Sequence, residues 1–371
     1  MPAPDSPAPP PPTPADPAAS APHRRRPRYA GKNPRRFAEK YKELDAGRYA
    51  GDVAKVVASG KTPAGSHRPI MVGEILAALA LQPGETAVDC TLGYGGHARE
   101  LLAHVAPPGA AARGRLVALD VDPLELPKTV ARLRAAGWGE DTFTAVRSNF
   151  AGLPRVLASL GLAGADAVLA DLGVSSMQLD DPARGFTFKA DGPLDLRLNP
   201  QRAPSAAAWL ARASVADLAA ALAENSDEPH ADALARELAA RRAHPPFART
   251  RQLADAVRDI LAALPKPVRD PAAVDLTVRR VFQALRIAVN DEFGALDTLL
   301  RQLPACLKPG GRVALLTFHS GEDRRVKHAF RDGVRRGLYA AASEEIVKAG
   351  LAELRANPRS AAAKLRWAVR A

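Results

Sequence analysis

Residues 89–97 read Asp-Cys-Thr-Leu-Gly-Tyr-Gly-Gly-His, between a short apolar run (Thr86 to Val88) and a helix-like segment (Ala98 to Val105). An acid followed by glycines at a strand-to-helix turn makes room for a nucleotide-like ligand. The glycines let the backbone come close, and the helix start offers free N–H donors. Working outward, the run Gly114 to Leu119 ends in Asp120, where a carboxylate suits a pair of ribose hydroxyls. The run Ala165 to Ala170 ends in Asp171. Acids at the carboxyl ends of successive strands suit a ligand lying across the top of a parallel sheet.

The spacing predicts a helix over 70–79, strands at 86–89, 115–120, 143–148 and 166–171, and helical segments between them, such as 124–135. That alternation is a βαβ series. The pattern changes after Asp181: a loop rich in Gly, Asp and Arg leads to Ala-rich helical stretches near 204–212, 214–224, 230–242 and 250–263. Helical spacing continues through Val278, Val281, Phe282, Leu285, Val289 and Phe293. A Lys308-Pro-Gly-Gly311 turn then precedes a strand from Arg312 to Phe318. The expected organisation is a basic, Pro-rich disordered arm (1–36), a helical extension (37–65) and the first part of a sheet domain (66–180). An inserted helical subdomain (181–275), the second part of the sheet domain (276–335) and a helical, basic tail (336–371) follow.

A chain of 371 residues buries a sizeable core, and its apolar fraction of 47% is ordinary for a globular protein. The formal net charge of +12 points to a polyanionic partner, nucleic acid above all; an Arg-rich soluble enzyme is the alternative. The arm carries Arg24, Arg25, Arg26, Arg28, Lys32, Arg35 and Arg36, which suit RNA phosphates or simply water. Two cysteines, Cys90 and Cys306, exclude a thiolate zinc cluster and a disulfide framework, and a reduced cytoplasmic setting fits. No apolar run approaches the roughly 18–20 residues that span a membrane. The arginines near the start have no apolar core after them, unlike a secretory signal.

Gly93-x-Gly95-x-x-Ala98 fits the dinucleotide pattern, which nicotinamide-binding and methyl-transferring domains share. Phe150 follows the third strand, where an adenine wall or plain core packing would sit. His97 lies in the first helical turn beside the presumed ligand. Asp171-Leu-Gly-Val-Ser-Ser-Met-Gln-Leu-Asp-Asp181 sets small polar groups at the sheet top, suited to an exocyclic amine. Beyond it, Phe186 and Phe188 suit base stacking or loop anchoring, and Arg184 and Arg197 suit phosphates. Arg286 and Asn290 share a helix face four residues apart. His319, Glu322 and Asp323 form a polar cluster after a strand; helix capping and Arg pairing account for such loop acids better than a metal does. There is no Gly-x-Ser-x-Gly elbow.

Together these residues resemble the ribosomal small-subunit methyltransferase H family, also called MraW. The likeness runs from His67-Arg-Pro-Ile through the Gly-Gly-His turn, the Asp171-Leu-Gly-Val-Ser-Ser loop, Arg184-Gly-Phe and Asp191-Gly-Pro-Leu-Asp. It continues in Phe282-Gln-Ala-Leu-Arg-Ile-Ala-Val-Asn-Asp-Glu, Phe318-His-Ser and a late Asn357-Pro-Arg-Ser. Departures are Val121 in place of the usual Arg, Met177 for Pro, Gly321 for Leu, an extra arm before His67 and a different segment after Phe330.

The resemblance implies a class I S-adenosylmethionine-dependent methyltransferase, an α/β Rossmann-like sheet domain with an inserted all-helical subdomain. It implies methylation of N4 of a cytosine in the decoding region of 16S rRNA, with that rRNA met within the small ribosomal subunit and no metal required. Carried over residue by residue, the cofactor would meet Gly95, Gly96, His97, Asp120, Phe150, Asp171 and Gln178. Asp171 and His319 are the candidate proton acceptors. Arg184, Phe186, Arg197, Arg286 and Asn290 are the candidate RNA contacts.

Overall fold

The computed structural model describes residues 69–371 except residues 111 and 243–245. The expected arm, helical extension and His67 lie outside the described residues. Seven strands form one sheet in the order β3-β2-β1-β4-β5-β7-β6. They are β1 (Thr86–Asp89), β2 (Arg115–Asp120), β3 (Phe143–Arg147), β4 (Ala165–Asp171), β5 (Leu307–Thr317), β6 (Tyr339–Ala342) and β7 (Lys364–Arg370). The pairs among β1 to β5 are parallel; β7 runs antiparallel to β5, and β6 to β7.

Helices α1 (Val72–Leu79), α2 (Gly96–Val105), α3 (Leu126–Ala135) and α4 (Leu153–Ser159) alternate with the first strands. The inner strands read as unbroken apolar runs because both faces are covered. Leu116, Ala118, Leu169 and Leu316 belong to one apolar cluster, while Val117, Leu119, Val168 and Leu315 belong to another. That is the period of two expected of a strand. Residues 308–311, the Pro-Gly-Gly turn, bulge out within β5: Ala165 pairs with Leu307, and Ala167 next with Arg312.

Between β4 and β5 the chain builds a helical layer: α5 (Ser176–Asp180), α6 (Ala206–Arg212), α7 (Val215–Ser226), α8 (Ala231–Arg241), α9 (Thr250–Ala263) and α10 (Pro271–Asn290). Leu218, Leu222, Leu234, Leu253, Val281 and Leu285 close a third apolar cluster. The boundary expected at 275 falls inside α10, whose apolar face runs into that cluster as far as Val289. A 3.6-residue stripe without a break is one helix, so the cut belongs at its end. Helices α11 (Glu292–Cys306) and α12 (Ser320–Arg335) flank β5.

The tail expected to be helical is corrected. Residues 336–371 hold one short helix, α13 (Leu351–Ala356), but also β6 and β7, and β7 lies inside the sheet. Lys364, Arg366 and Arg370 break the apolar run of β7, which disguises an inner strand. Arg366 is only 4% exposed, and its charge is met by Asp323 of α12 at 2.7 Å. Among the described residues, no helix is long and apolar enough to cross a membrane.

Candidate active site

The strand order reverses between β1 and β4, and a cavity of about 780 Å³ opens above their carboxyl ends. This is where open α/β sheets bind ligands. The sheet forms its floor, and residues of α10, the start of α12 and the segment after α13 complete its walls.

The turn after β1 depends on glycine. Gly93 and Gly95 have φ of +49° and +81°, a region costly for residues with a Cβ. Gly93 N–H donates to Asp120 Oδ2 (2.7 Å), and Asp122 N–H donates to Oδ1 (2.8 Å). Asp120 thus ties the tops of β1 and β2 together while lining the cavity. Burial pushes its carboxyl above the ordinary value, against the pull of the Asp122 and Gly93 amides. Gly96 also lines the cavity, with its hydrogen-bearing carbon against Pro69, whereas Gly95 sits behind, against Thr129 of α3.

His97 bridges two walls. Its Nε2 is 2.9 Å from the Ile70 carbonyl. A carbonyl only accepts, so Nε2 carries a hydrogen, and Nδ1 faces Asp171 Oδ2 at 3.5 Å. The Asp171 backbone N–H donates to Thr91 Oγ1 (2.7 Å), which pins β4 to the glycine turn. Burial pushes the Asp171 carboxyl up; His97 opposes that and Glu322 adds to it. Asp89, the acid that opens the glycine turn in the sequence, lies beneath and is 1% exposed. Its Oδ1 accepts from Thr91 N–H (3.0 Å), and Oδ2 has no hydrogen-bond partner among the described residues. Burial carries it up to about 6, with His97 opposing and Asp171 and Asp120 adding to the rise.

The loop after β4 closes on itself. Ser175 caps α5: its Oγ accepts from Gln178 N–H, and Gln178 Oε1 accepts from Ser175 N–H (2.9 Å). Gln178 Nε2 donates to Asp122 Oδ2 (2.8 Å), so this side chain borders the cavity with both polar ends engaged. Asp122, 1% exposed, also receives Arg184 Nη1 (2.8 Å) and Leu124 N–H (2.9 Å). Sequence reasoning missed Asp122. The signal was the second acid of Asp120-Val-Asp122-Pro, two residues past the strand-end acid.

The five side chains offered to RNA from sequence have protein partners. Arg184 also donates to the carbonyls of Arg197 and Leu198, and lies off the cavity. Arg197, off the cavity too, pairs with Asp195 through Nε (2.8 Å) and Nη2 (2.7 Å). Arg286 grips Glu292 with two bonds of 2.8 and 2.9 Å. Asn290 accepts from Leu198 N–H (2.8 Å) and donates to the Leu196 carbonyl (2.7 Å). Phe186 is 6% exposed and packs in the helical cluster, with an edge on the cavity. Arg184, Arg197 and Asn290 hold the 183–200 loop in place, and Arg286 ties the end of α10 to the start of α11.

Phe150 lines the cavity and packs on the sheet cluster. His319 Nε2 lies 3.2 Å from Glu322 Oε1, and its Nδ1 has no hydrogen-bond partner among the described residues. Burial would raise the Glu322 carboxyl, but His319, the Phe318 amide and Arg286 outweigh it and hold it below the ordinary value. Among the described residues, no three His, Cys, Asp or Glu side chains gather as a metal site.

The family model of the MraW methylases matches residues 64–371. The chain belongs to the MraW methylase family. Its sheet is accordingly that of a class I, Rossmann-like methyltransferase. Among relatives of this MraW chain, "Ribosomal RNA small subunit methyltransferase H 1" of Lachnoclostridium phytofermentans is 45% identical over 351 residues, 94% of this chain and 93% of its own. "Ribosomal RNA small subunit methyltransferase H 2" of Alkaliphilus metalliredigens is 46% identical, covering 94% of this chain and 97% of its own.

Proposed function

We propose that the protein transfers the methyl group of S-adenosylmethionine to the exocyclic N4 of a cytosine in the decoding region of 16S rRNA, acting on the small subunit in the cytoplasm. The relatives' names point to small-subunit rRNA. The cavity suits the methyl donor: Gly93, Gly96 and Gly173 all border it, and a glycine lets the backbone come close to a ligand. Asp120 is the carboxylate for the ribose, Phe150 the apolar wall, and the Gly96–His97 turn the polar end.

When bound, this cofactor supplies a methyl group activated by a sulfonium. The amine nitrogen forms a bond to carbon, the sulfur–carbon bond breaks, and one amine proton must leave. The observation that carries the reading is Asp171: a partly buried carboxylate on the cavity wall, made more basic by desolvation and backed by His97 at 3.5 Å. It accepts from the amine and orients it, and alignment supplies much of the rate. His319, which also lines the cavity, is the second candidate acceptor.

Small-subunit particles lacking the modification, incubated with labelled cofactor and digested to nucleosides, test this. Label at cytosine N4, lost in Asp171→Ala, is expected. Label at C5 or a ribose 2′-oxygen alone overturns the reading.

A further inference from the structure

The arginines of the 183–200 loop and Arg286 are neutralised by acids, so the cations that meet RNA lie elsewhere. Three exposed ones line the cavity on three separate elements: Lys189 on the loop after β4, Arg279 on α10, and Arg359 after α13. Among the described residues, neither Lys189 nor Arg279 has an ion-pair partner within 4.0 Å. Arg359 gives only Nη2, to both oxygens of Asp180 at 3.1 Å. The rim acid Asp275 faces Arg258 at 3.9 Å. Phe188 lines the cavity beside Lys189 and is held by the Phe282 ring at 5.3 Å.

Exposed cations around a cavity mouth, beside aromatic surface, are the chemistry that takes a single-stranded polyanion. The Asn357-Pro-Arg-Ser stretch, given no role from sequence, thereby acquires one.

We propose that Lys189, Arg279 and Arg359 hold the phosphates flanking the target nucleotide, so that the RNA strand crosses the cavity mouth from the helical layer to the segment after α13. This rests on the rRNA methyl-transfer reading and names where that substrate is gripped.

Each phosphate neutralised on single-stranded RNA contributes about 0.7 to the slope of log affinity against log salt. Replacing all three cations by Ala should flatten the slope by about 2. Between 50 and 200 mM salt the wild type should therefore lose about 20-fold more affinity than the triple variant. The probe is a transcribed, unmethylated decoding-region fragment of small-subunit rRNA. Lys189→Arg with Arg279→Lys should keep the wild-type slope. So should Arg113→Ala, which removes a cation paired with Asp141 at the opposite edge of the sheet.

An unchanged slope in the folded triple variant overturns the proposal, as does weakened binding to whole subunits with an unchanged slope on the fragment. The same preparations are assayed for methyl transfer. Wild type that labels small-subunit rRNA while the slope stays unchanged leaves the function standing and only the phosphate grip fails. Wild type that labels none removes the function itself.

Discussion

Arg184 Nη1 stands 2.8 Å from Asp122 Oδ2, with the two side chains 11% and 1% exposed. The pair joins the top of β2 to the loop after β4, whose residues lie 62 positions away. Gln178 donates to the same oxygen, so one buried carboxylate sets the position of α5 and of the cavity wall it carries. A buried pair need not add much stability, but removing one partner strands the other charge.

Asp122→Ala should therefore cost about 3–5 kcal/mol, by leaving a buried guanidinium without its counter-charge. Adding Arg184→Met should recover much of that loss. Urea unfolding of the two single variants and the double variant decides it, and strictly additive losses would contradict the pairing.

Asp120→Ala should weaken S-adenosylmethionine by about 1.5–3 kcal/mol, the range of a lost charge-assisted hydrogen bond. That is roughly tenfold to a hundredfold in affinity. It also frees the Gly93 and Asp122 amides, so a modest fall in melting temperature accompanies it. Calorimetry that finds unaltered affinity in a folded variant removes Asp120 from the ribose.

Two glycines should respond oppositely to alanine. At Gly95, φ is +81° and the new Cβ would lie 2.9 Å from Thr129 Cγ2. Thr129 cannot retreat freely, because its hydroxyl donates to the Gly93 carbonyl at 2.6 Å. Gly95→Ala should destabilise by about 1–3 kcal/mol. At Gly73, exposed in α1 with nothing within 4 Å of an added Cβ, alanine should stabilise by about 0.5–1 kcal/mol. Melting curves that rank the two the other way would refute the geometry.

Asp89 yields a pH dependence. Its folded-state value rises from an ordinary 3.8 to about 6. Between those values the folded chain binds more protons than the unfolded one, so stability falls as pH rises through that window and stays lower above it. Asp89→Asn does not titrate, and its side-chain oxygen can still accept from Thr91 N–H. The variant should exceed wild type by about 3 kcal/mol or less at pH 8, with the gap closing below about pH 4. A gap that does not change with pH would show that Asp89 carries no buried charge.

The strands bearing the cavity floor were legible because parallel strands covered on both faces appear as apolar runs, each here ending in an acid. Asp120 and Asp171 follow from that rule, His97 from the glycine turn and Phe150 from its place after the third strand, and all four border one cavity. β7 was hidden because Arg366 sits on an inner strand, and only Asp323, 43 residues earlier, makes that tolerable. Arg184 and Arg197 looked like phosphate ligands for a related reason. A basic residue in a loop reads as free until its acid is located. Asp195 is close by in sequence, but Asp122 is not. Element type is written in local spacing, whereas the neutralisation of a charge is a pairwise property of the folded chain.

β4 and β5 are neighbours, yet residues 172–306 intervene between them. Bringing the ends of so long a segment together as a flexible coil costs about 4 kcal/mol in chain entropy. The segment has its own apolar centre, with Leu218, Leu222, Leu234 and Leu285 fully enclosed. Condensing first, it presents β5 to β4 as the far end of a compact body and not of a loose coil. The expected order of assembly is helices before the central pairing, and the pairing before the cavity that Asp171 and His319 both line. A defect in that leucine centre should slow refolding of the whole sheet even though it forms a cluster separate from the two that cover the strands.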